Sequence, residues 1–358
     1  MGATYKNNIE LTIFGESHGK AIGITIGNLP SGIQIDLGEV SRDMKRRAPG
    51  QNKMSTARKE ADQVEILSGL QDGITTGAPL TGVIYNSDQH SKDYSLLKTN
   101  MRPGHSDYPA YIKYKGFNDV RGGGHFSGRI TAPIVFAGNI AKQILKQKGI
   151  VVGAHILSIG NVKDERFPYN VDETLLSSLS QKQYPTIKED VFEKMEATIL
   201  KARENLDSVG GKVECVALHV PAGIGEPFFD SLESHLSSLM FSIPAVKSVS
   251  FGDGEMIDQM LGSEANDCYY YDDEKVKTKT NHNGGITGGI SNGMPIIFRV
   301  GIKPTPSISQ VQQTVNIKTK ENTELEIIGR HDPCIVPRAV VVVESMAALG
   351  ILDMMKDI

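Results

Sequence analysis

The residues best suited to acid–base and anion chemistry are concentrated between Arg102 and Pro133. This stretch begins Arg-Pro-Gly-His-Ser-Asp-Tyr-Pro and continues, after a tyrosine-rich connection, with Arg-Gly-Gly-Gly-His-Phe-Ser-Gly-Arg. Histidine titrates near neutral pH and arginine is permanently charged, so the combination suits proton transfer beside an anion. Consecutive glycines disfavour helices and strands and are typical of a backbone that lies against a flat or anionic ligand. The stretch predicts a ligand site, with a glycine-rich surface turn as the alternative for the glycines alone.

A second candidate is the pentapeptide Gly-Glu-Ser-His-Gly at positions 15–19, which follows a predicted strand over 9–14. As Gly-x-Ser-x-Gly it matches the nucleophile elbow of serine hydrolases, with Ser17 as nucleophile. That fold needs earlier strands and an oxyanion loop, and only fourteen residues precede the motif. As a phosphate loop it fails, because its two glycines are one residue too close. What is left is His18 at a strand end, for which a catalytic and a structural role both stay open.

A third candidate is a basic segment. A predicted helix over 37–47 ends in Lys-Arg-Arg, and Lys53, Arg58 and Lys59 follow within the next loop. In a chain with a net charge of −4, such a cluster attracts an anion locally, although a solvated charged surface is the alternative. The same net charge argues against a general nucleic-acid binder.

Composition sets the broad class. Of the 358 residues, 39% are hydrophobic and 22% are charged, which is typical of a soluble globular protein. The three cysteines (Cys215, Cys268 and Cys334) are too far apart for a disulfide framework or a zinc site and fit a reducing compartment. No signal segment is evident at the start, and the longest apolar run is too short to span a bilayer. We therefore expect a cytoplasmic protein without a metal, bound neither to membranes nor to nucleic acid.

Hydrophobic periodicity places the remaining elements. It predicts strands over 64–70, 80–85, 151–159, 212–220, 246–251 and 295–302, and helices over 130–148, 189–205, 231–241 and 339–355. Residues 161–188 are polar, and we expect an irregular surface excursion there from a single domain over 1–358. Asp332 followed by Pro333 is a helix-start signal ahead of the last helix.

Six motifs, taken together, resemble chorismate synthase in order and spacing over essentially the whole chain. They are Gly-Glu-Ser-His-Gly at 15–19, Arg-Pro-Gly-His-x-Asp-Tyr at 102–108, Arg-Gly-Gly-Gly at 121–124, Gly-Gly-Ile-x-Gly-Gly-Ile at 284–290, Lys-Pro-Thr at 303–305 and Gly-Arg-His-Asp-Pro-Cys at 329–334. Each motif alone is weak, but the ordered set is specific. The resemblance implies an α+β fold, a β-α-β sandwich of two antiparallel sheets packed around a central layer of helices, assembled as a homotetramer.

The resemblance also implies a reaction. The family converts 5-enolpyruvylshikimate-3-phosphate to chorismate by 1,4-elimination of phosphate and a hydrogen, a step of the shikimate pathway to aromatic amino acids. The reaction requires reduced FMN although it is redox-neutral overall. NADPH is implied as the electron source for the flavin, used by the chain itself or through a separate flavin reductase. The lack of a long insertion favours the separate reductase.

Residue roles follow from the same resemblance. His18 is expected to stabilise charge on the leaving phosphate, His105 to lie near the flavin and help set its protonation, and Asp332 to assist hydrogen removal through the flavin N5. Arg47 and Lys53 are expected to contact a pyridine nucleotide or a substrate anion. The expected FMN-binding positions are His125, Phe126, Ser127, Pro244, Ala245, Gly288, Lys303, Pro304, Thr305, Pro306, Ser307 and Arg330.

Two departures from the family pattern concern the flavin. Many members carry Arg-Ser-Ser where this chain has His-Phe-Ser at 125–127, and an asparagine where it has Pro244. Contacts made by the backbone would survive these changes, whereas side-chain contacts would have to be rebuilt. The alternative function is a non-catalytic flavin- or nucleotide-binding protein. Three proton-transfer groups directed at one ligand would have no use in such a protein.

Overall fold

The computed structural model describes residues 2–50, 62–86, 96–327 and 332–355. The chain forms two compact units, each assembled from three segments. The first unit contains residues 1–136, 193–210 and 304–335, and the second contains residues 137–192, 211–303 and 336–358. The prediction of a single domain over 1–358 stays a prediction.

The described residues form eight α-helices and eighteen strands. The helices are α1 Leu37–Arg47, α2 Asp107–Lys113, α3 Thr131–Gln147, α4 Glu173–Gln181, α5 Val191–Glu204, α6 Leu232–Ser242, α7 Gly262–Ala265 and α8 Val336–Met354. The strands are β1 Thr4–Lys6, β2 Glu10–Gly15, β3 Ala21–Gly27, β4 Glu65–Ser68, β5 Leu70–Gln71, β6 Ile74–Thr75, β7 Leu80–Tyr85, β8 Val151–Ile159, β9 Val162–Lys163, β10 Gly211–Leu218, β11 Val246–Phe251, β12 Tyr269–Asp272, β13 Lys275–Thr278, β14 Ile286–Thr287, β15 Ile290–Ser291, β16 Ile296–Ile302, β17 Gln312–Asn316 and β18 Glu321–Leu325.

The first unit is built on a five-stranded antiparallel sheet with the order β1-β2-β3-β7-β4. Alternate residues of β3, Ile22, Ile24 and Ile26, are buried, as expected for a strand with one face on the core. Opposite Ile24 stands Gly82 on β7, where an added Cβ would lie 2.5 Å from the ring of Phe136. The glycine thus lets the first part of α3 pack closely on the sheet.

Helix α1 follows its sequence signals. The Asp36 carboxylate accepts hydrogen bonds from the N–H groups of Gly38 and Glu39, and the last turn carries Lys45, Arg46 and Arg47. An acidic cap at the start and cations at the end both complement the helix dipole. The predicted bounds of 37–47 are confirmed.

The second unit is built on another five-stranded antiparallel sheet with the order β11-β16-β10-β8-β9. Helix α8 packs on β8 and β10 and is buried along almost its whole length, including the Glu344 carboxylate, which pairs with Lys142 at 2.6 Å. Predicted to begin at residue 339, α8 begins at Val336, because Pro337 is tolerated in the first turn of a helix. No helix among the described residues combines the length and apolar character needed to cross a membrane.

The segment 161–188 is more regular than its polarity indicates. It contains α4, and its apolar side chains enter the core of the second unit. These are Phe167, Val171, Leu176 and Leu179, which cluster with Val216, Leu218 and Ile297 of the sheet. Four apolar residues spaced over thirteen positions are too sparse to stand out among polar neighbours, yet they suffice to fix the segment.

A buried charge network ties this segment to the sheet. His155 on β8 is fully buried, with Nε2 3.0 Å from a Glu214 oxygen and Nδ1 3.3 Å from an Asp164 oxygen. Glu214 also pairs with Arg299 at 2.8 Å and accepts the N–H of Phe167 at 2.6 Å. Burial alone would lower the pKa of His155, but the hydrogen bonds and charges of the two carboxylates raise it.

This network predicts a pH-dependent stability. Because the pKa of His155 is raised on folding, its protonated form contributes stability below about pH 6.5, the unfolded value, and this contribution is lost as the pH rises through the folded value. We expect the free energy of unfolding in urea to fall as the pH rises above about 6.5, and H155Q to flatten that slope. H219Q is the matched control, since His219 also meets a carboxylate, Glu173 at 3.0 Å, but on the surface. An unchanged slope in H155Q would contradict the assignment.

Candidate active site

His18 lies in the turn between β2 and β3, beside the fully buried Ser17. The Ser17 hydroxyl is 3.0 Å from His18 Nδ1, 3.2 Å from the carbonyl oxygen of Arg121 and 3.3 Å from that of Gly122. Carbonyl oxygens only accept, so the single hydroxyl proton is directed at them and Nδ1–H is the donor to Ser17. In the neutral ring, Nδ1 of His18 is therefore the nitrogen that carries the proton.

The position of Ser17 also bears on the serine-hydrolase alternative. Its side chain has no exposed surface, and its hydroxyl is hydrogen-bonded to the backbone of the glycine loop. A nucleophile must reach its substrate, so this hydroxyl is placed to hold a loop and a histidine instead.

The triple glycine lies against both candidate histidines. Gly122 and Gly123 have φ values of +57° and +87°, in the left-handed region that favours glycine. A Cβ on Gly122 would lie 2.2 Å from Cε1 of His18, and a Cβ on Gly123 would lie 3.2 Å from Cε1 and Nε2 of His105. Two adjacent residues thus bring two histidine rings to one short piece of backbone.

The third glycine fixes the loop itself. Gly124 has φ +54°, and a Cβ there would lie 2.2 Å from the carbonyl oxygen of Asp119. Its own carbonyl accepts the N–H of Ser17 at 3.1 Å. Asp119 holds Arg121 through two carboxylate oxygens, and together these contacts close the loop onto the turn that carries His18.

His105 is held by a carboxylate and an arginine. Its Nδ1 is 2.7 Å from Oδ1 of Asp107, which also accepts Nη2–H of Arg102 at 2.8 Å. Oδ2 of Asp107 accepts Nε–H of Arg102 at 2.7 Å, and Nη1–H of Arg102 donates to Oγ of Ser307 at 3.3 Å. Ser307 is one of the predicted FMN-binding positions, so the structure links it to His105 within the first unit.

Three predicted FMN-binding residues, His125 to Ser127, directly follow the glycines. The side chain of His125 is hydrogen-bonded, and that of Phe126 is partly exposed. His125 Nδ1 is 2.9 Å from the carbonyl oxygen of Gly15, so the imidazole is tied to the strand that precedes His18. Phe126 is 37% exposed, and its ring centroid is 6.2 Å from that of Tyr114. The Ser127 hydroxyl accepts the N–H of Arg129 at the start of the following helical turn. The partly exposed Phe126 ring, next in sequence to His125, is a flat aromatic surface in keeping with a ring-shaped ligand.

Arg47 is only 2% exposed, and its guanidinium is hydrogen-bonded inside the first unit. Nη1 pairs with Asp62 at 2.6 Å, Nη2 donates to the carbonyl of Gly128 at 3.1 Å, and Nε donates to the Thr131 hydroxyl at 3.3 Å. Arg129 pairs with the other oxygen of Asp62. These contacts place Arg47 among the supports of the loop, and its predicted contact with a substrate or nucleotide anion stays a prediction.

Asp62 is the carboxylate that joins these two arginines. Burial alone would raise the pKa of Asp62, but the charges and hydrogen bonds of Arg47 and Arg129 outweigh it and lower the pKa. From the sequence, Asp62 was expected only to neutralise part of the basic segment, and its pairing with Arg47 and Arg129 was not predicted. Lys53 and Arg58 lie outside the described residues.

The second unit carries four predicted FMN positions. The N–H of Lys303 donates to the carbonyl of Ala245 at 2.9 Å, so the ends of β11 and β16 bring two of them together next to Pro244. Ala245 has φ +74°, a costly conformation for a residue with a side chain and one found disproportionately at functional sites. Burial lowers the pKa of Lys303, and the charge of Lys247 lowers it further. Two lysines close together suit a phosphate, and Lys247 was not predicted from the sequence.

Gly288 and the remaining predicted positions complete the set. Gly288 has φ +64°, and a Cβ there would meet no atom within 4 Å, so its surroundings are open. In the first unit, the carbonyl oxygen of Thr305 accepts a hydrogen bond from the Ser208 hydroxyl. Arg330 lies outside the described residues, and Asp332, beside that gap, is half-buried. The roles of all these residues stay predictions.

An open cavity of about 810 Å³ occurs in the second unit, at the end of β10 and the start of β16. Within the described chain, no predicted site residue lines it. Its arginines already face carboxylates, Arg166 that of Asp253 and Arg299 that of Glu214. The lining also includes Lys277, which pairs with Asp272, and Lys279.

Comparison with known proteins identifies the family. The sequence model described as chorismate synthase matches residues 9–356. This chain belongs to the chorismate synthase family. The resemblance predicted from six motifs is confirmed, and with it an α+β enzyme, a lyase that acts on a phosphate-bearing substrate.

Individual relatives agree with this assignment. The chorismate synthase of Methanocaldococcus jannaschii is 46% identical over 362 residues, which cover 98% of this chain and 96% of that protein. The chorismate synthase of Thermococcus gammatolerans is 47% identical over 345 residues, covering 96% of this chain and 95% of that protein. A chorismate synthase crystal structure at 26% identity superposes with a TM-score of 0.76 over 97% of this chain and 91% of that chain. The alternative of a non-catalytic binding protein is not favoured.

Proposed function

We propose that this chain converts 5-enolpyruvylshikimate-3-phosphate to chorismate by eliminating phosphate and a hydrogen, and that turnover requires reduced FMN. Membership of the chorismate synthase family supports the reaction class. The observation that carries the proposal is the pairing of two histidines at adjacent glycines, His18 at Gly122 and His105 at Gly123. In both rings Nδ1 is held by a polar partner, and we assign proton exchange to Nε2.

The elimination breaks a C–O bond to phosphate and a C–H bond, and it forms a new C=C bond. Negative charge grows on the phosphate as the C–O bond breaks. His18, when protonated at Nε2, stabilises that charge, and stabilisation confined to the transition state raises the rate. Ser17 keeps the ring in place by accepting the Nδ1 proton.

His105 supplies the second proton-transfer group. Its ring is fixed between Asp107 and the glycine loop, with Nε2 against Gly123. With reduced FMN bound, His105 would help set the protonation of the flavin, and Asp332 would assist removal of the hydrogen that the substrate loses. The half-buried position of Asp332, at a chain segment whose Pro333 carbonyl accepts the N–H of Val209, is compatible with a defined carboxylate position.

Each unit, taken by itself, contains described residues that suit one part of a flavin mononucleotide. The first unit offers the partly exposed ring of Phe126, and the second offers the Lys303 and Lys247 pair for a phosphate. Reduced FMN, when bound, supplies electron density that weakens the C–O bond of the substrate. The residues proposed to hold it are His125, Phe126, Ser127, Pro244, Ala245, Gly288, Lys303, Pro304, Thr305, Pro306, Ser307 and Arg330.

Several finer features belong to the same proposal. We propose NADPH as the source of electrons for the flavin, through a separate flavin reductase, since the chain has no long insertion relative to the family. Arg47 and Lys53 are proposed to attract the anionic ligands. A homotetrameric assembly and a cytoplasmic location complete the proposal.

An anaerobic assay tests the function. We expect chorismate to form from 5-enolpyruvylshikimate-3-phosphate only when FMN is present and chemically reduced, with phosphate released in equal amount. Reductant without FMN, and oxidised FMN in air, are the controls and should give no turnover. Full activity with oxidised FMN in air would refute the requirement. Flavin binding without any chorismate would instead indicate a binding protein.

A further inference from the structure

The Asp107 carboxylate is the centre of a compact hydrogen-bond cluster in the first unit. It is 8% exposed and accepts four hydrogen bonds. Arg102 contributes three, from Nε at 2.7 Å, Nη2 at 2.8 Å and its backbone N–H at 3.1 Å. His105 contributes the fourth, from Nδ1 at 2.7 Å.

The charge state of this carboxylate decides where His105 carries its proton. Burial alone would raise the pKa of Asp107, but the hydrogen bonds from Arg102 and His105 hold the pKa well below its usual range. An ionised carboxylate has no proton to donate, so a 2.7 Å contact with Nδ1 requires Nδ1–H. Nη2 of Arg102 lies 3.1 Å from Nδ1, but an Nδ1 that carries a proton cannot accept a hydrogen bond from it, and Nη2 donates to Oδ1 of Asp107 instead.

We propose that Asp107 is the positioning residue of His105. It holds the proton on Nδ1 so that Nε2, on the edge of the ring against Gly123, is the nitrogen that exchanges protons in the reaction. Arg102 extends the same anchor to the Ser307 hydroxyl, so the ring and the segment expected to bind FMN share one support. The inference rests on the proposed function in making His105 a group of the reaction.

A merely structural role for Asp107 makes a different prediction. Asp107 is the first residue of α2, where a carboxylate stabilises a helix through its dipole whatever the neighbouring imidazole does. Loss of that stabilisation would lower the melting temperature and leave the tautomer of His105 unchanged. The tautomer of His105 therefore distinguishes a positioning role of Asp107 from a purely stabilising one.

The first test is nitrogen NMR on the full-length chain labelled with ¹⁵N-histidine. The chain has nine histidines, and H105Q assigns the signals of His105 by their disappearance. We expect wild-type His105 to carry its proton on Nδ1 when neutral, and D107N to shift it toward the Nε2–H tautomer. D253N is the matched control, since Asp253 likewise lies between an arginine, Arg166, and Nδ1 of a histidine, His282, but in the second unit, and should leave His105 unchanged.

The second test is kinetic. D107N should lower kcat roughly 10- to 100-fold, the range found when the partner that orients a functional histidine is removed, with KM changed less than about 3-fold. It should also change the shape of the pH–rate profile, and D107E should recover part of kcat. A lowered kcat with the Nδ1 tautomer intact would overturn the proposal, as would Nε2–H in the wild type. The wild-type spectrum decides the matter even if D107N does not fold. Absence of chorismate formation by the wild type would refute the proposed function, while the tautomer shift would still test the role of Asp107.

Discussion

Replacement of His105 or His18 by alanine is expected to lower kcat roughly 10²–10⁴-fold, the usual cost of removing one general acid or base. We expect substrate binding to be largely intact, because the stabilisation proposed for His18 grows as the C–O bond breaks and so acts mainly in the transition state. Both rings are placed for chemistry rather than for bulk packing, because each has Nδ1 held by a polar partner and an edge against a glycine. Anaerobic kinetics with saturating reduced FMN measure both variants.

The H18A/H105A double variant tests whether the two histidines act together. If they act on one reaction sequence as a unit, the H18A/H105A double variant should be little worse than the slower single variant. H235Q is a suitable control, since His235 pairs with Asp353 at 3.2 Å in the second unit and has no proposed role. A wild-type rate in either alanine variant would remove that residue from the mechanism.

Much of the fold could be predicted because its signals are local. The α1 bounds follow from Asp36 at one end and three cations at the other, and β8 follows from a continuous apolar run. The order of six short motifs identified the family because their joint spacing is far more specific than any one of them. Burial was harder to predict. Nothing in the basic run Lys45 to Arg47 shows that Arg47 is buried while Lys45 is exposed. Arg47 is paired inside the protein with Asp62, and this contact forms only when the chain folds.

The triple glycine illustrates what local reasoning cannot supply. The sequence correctly predicts that its backbone is approached closely, and the structure assigns at least part of that approach to His18 and His105. Position 122 meets position 18 only after strands and loops more than a hundred residues apart have packed. The two lysines at 247 and 303 are likewise brought together by pairing between β11 and β16. Such contacts depend on tertiary structure, so residue types alone could not show that two histidine rings pack against the glycine loop.

The glycine loop therefore allows a sharp prediction. G122A should lower kcat roughly 10²-fold, because the new methyl group would lie 2.2 Å from Cε1 of His18 and ordinary contact begins at 3.4 Å. The ring or the loop must move by about 1.2 Å, and a displacement of about 1 Å at a reacting group can cost that much in rate. The left-handed backbone adds about 1–2 kcal/mol of strain for a residue with a side chain. Kinetics measure the effect of the displaced His18 on kcat, and thermal unfolding measures the effect of the backbone strain on stability.

Two other glycines provide the comparison that decides how the loop works. A Cβ on Gly128 meets no atom within 4 Å and its φ is outside the left-handed region, so G128A should retain rate and stability. Alanine at Gly124 would meet the backbone oxygen of Asp119 at 2.2 Å, so G124A should lose stability before it loses any specific function. H125A should weaken FMN binding only modestly, on the order of 1 kcal/mol, because its ring is tied to the carbonyl of Gly15. Flavin titration followed by fluorescence measures binding in all four variants. If H125A loses FMN completely while G122A keeps its full rate, side chains rather than the glycine backbone organise this site.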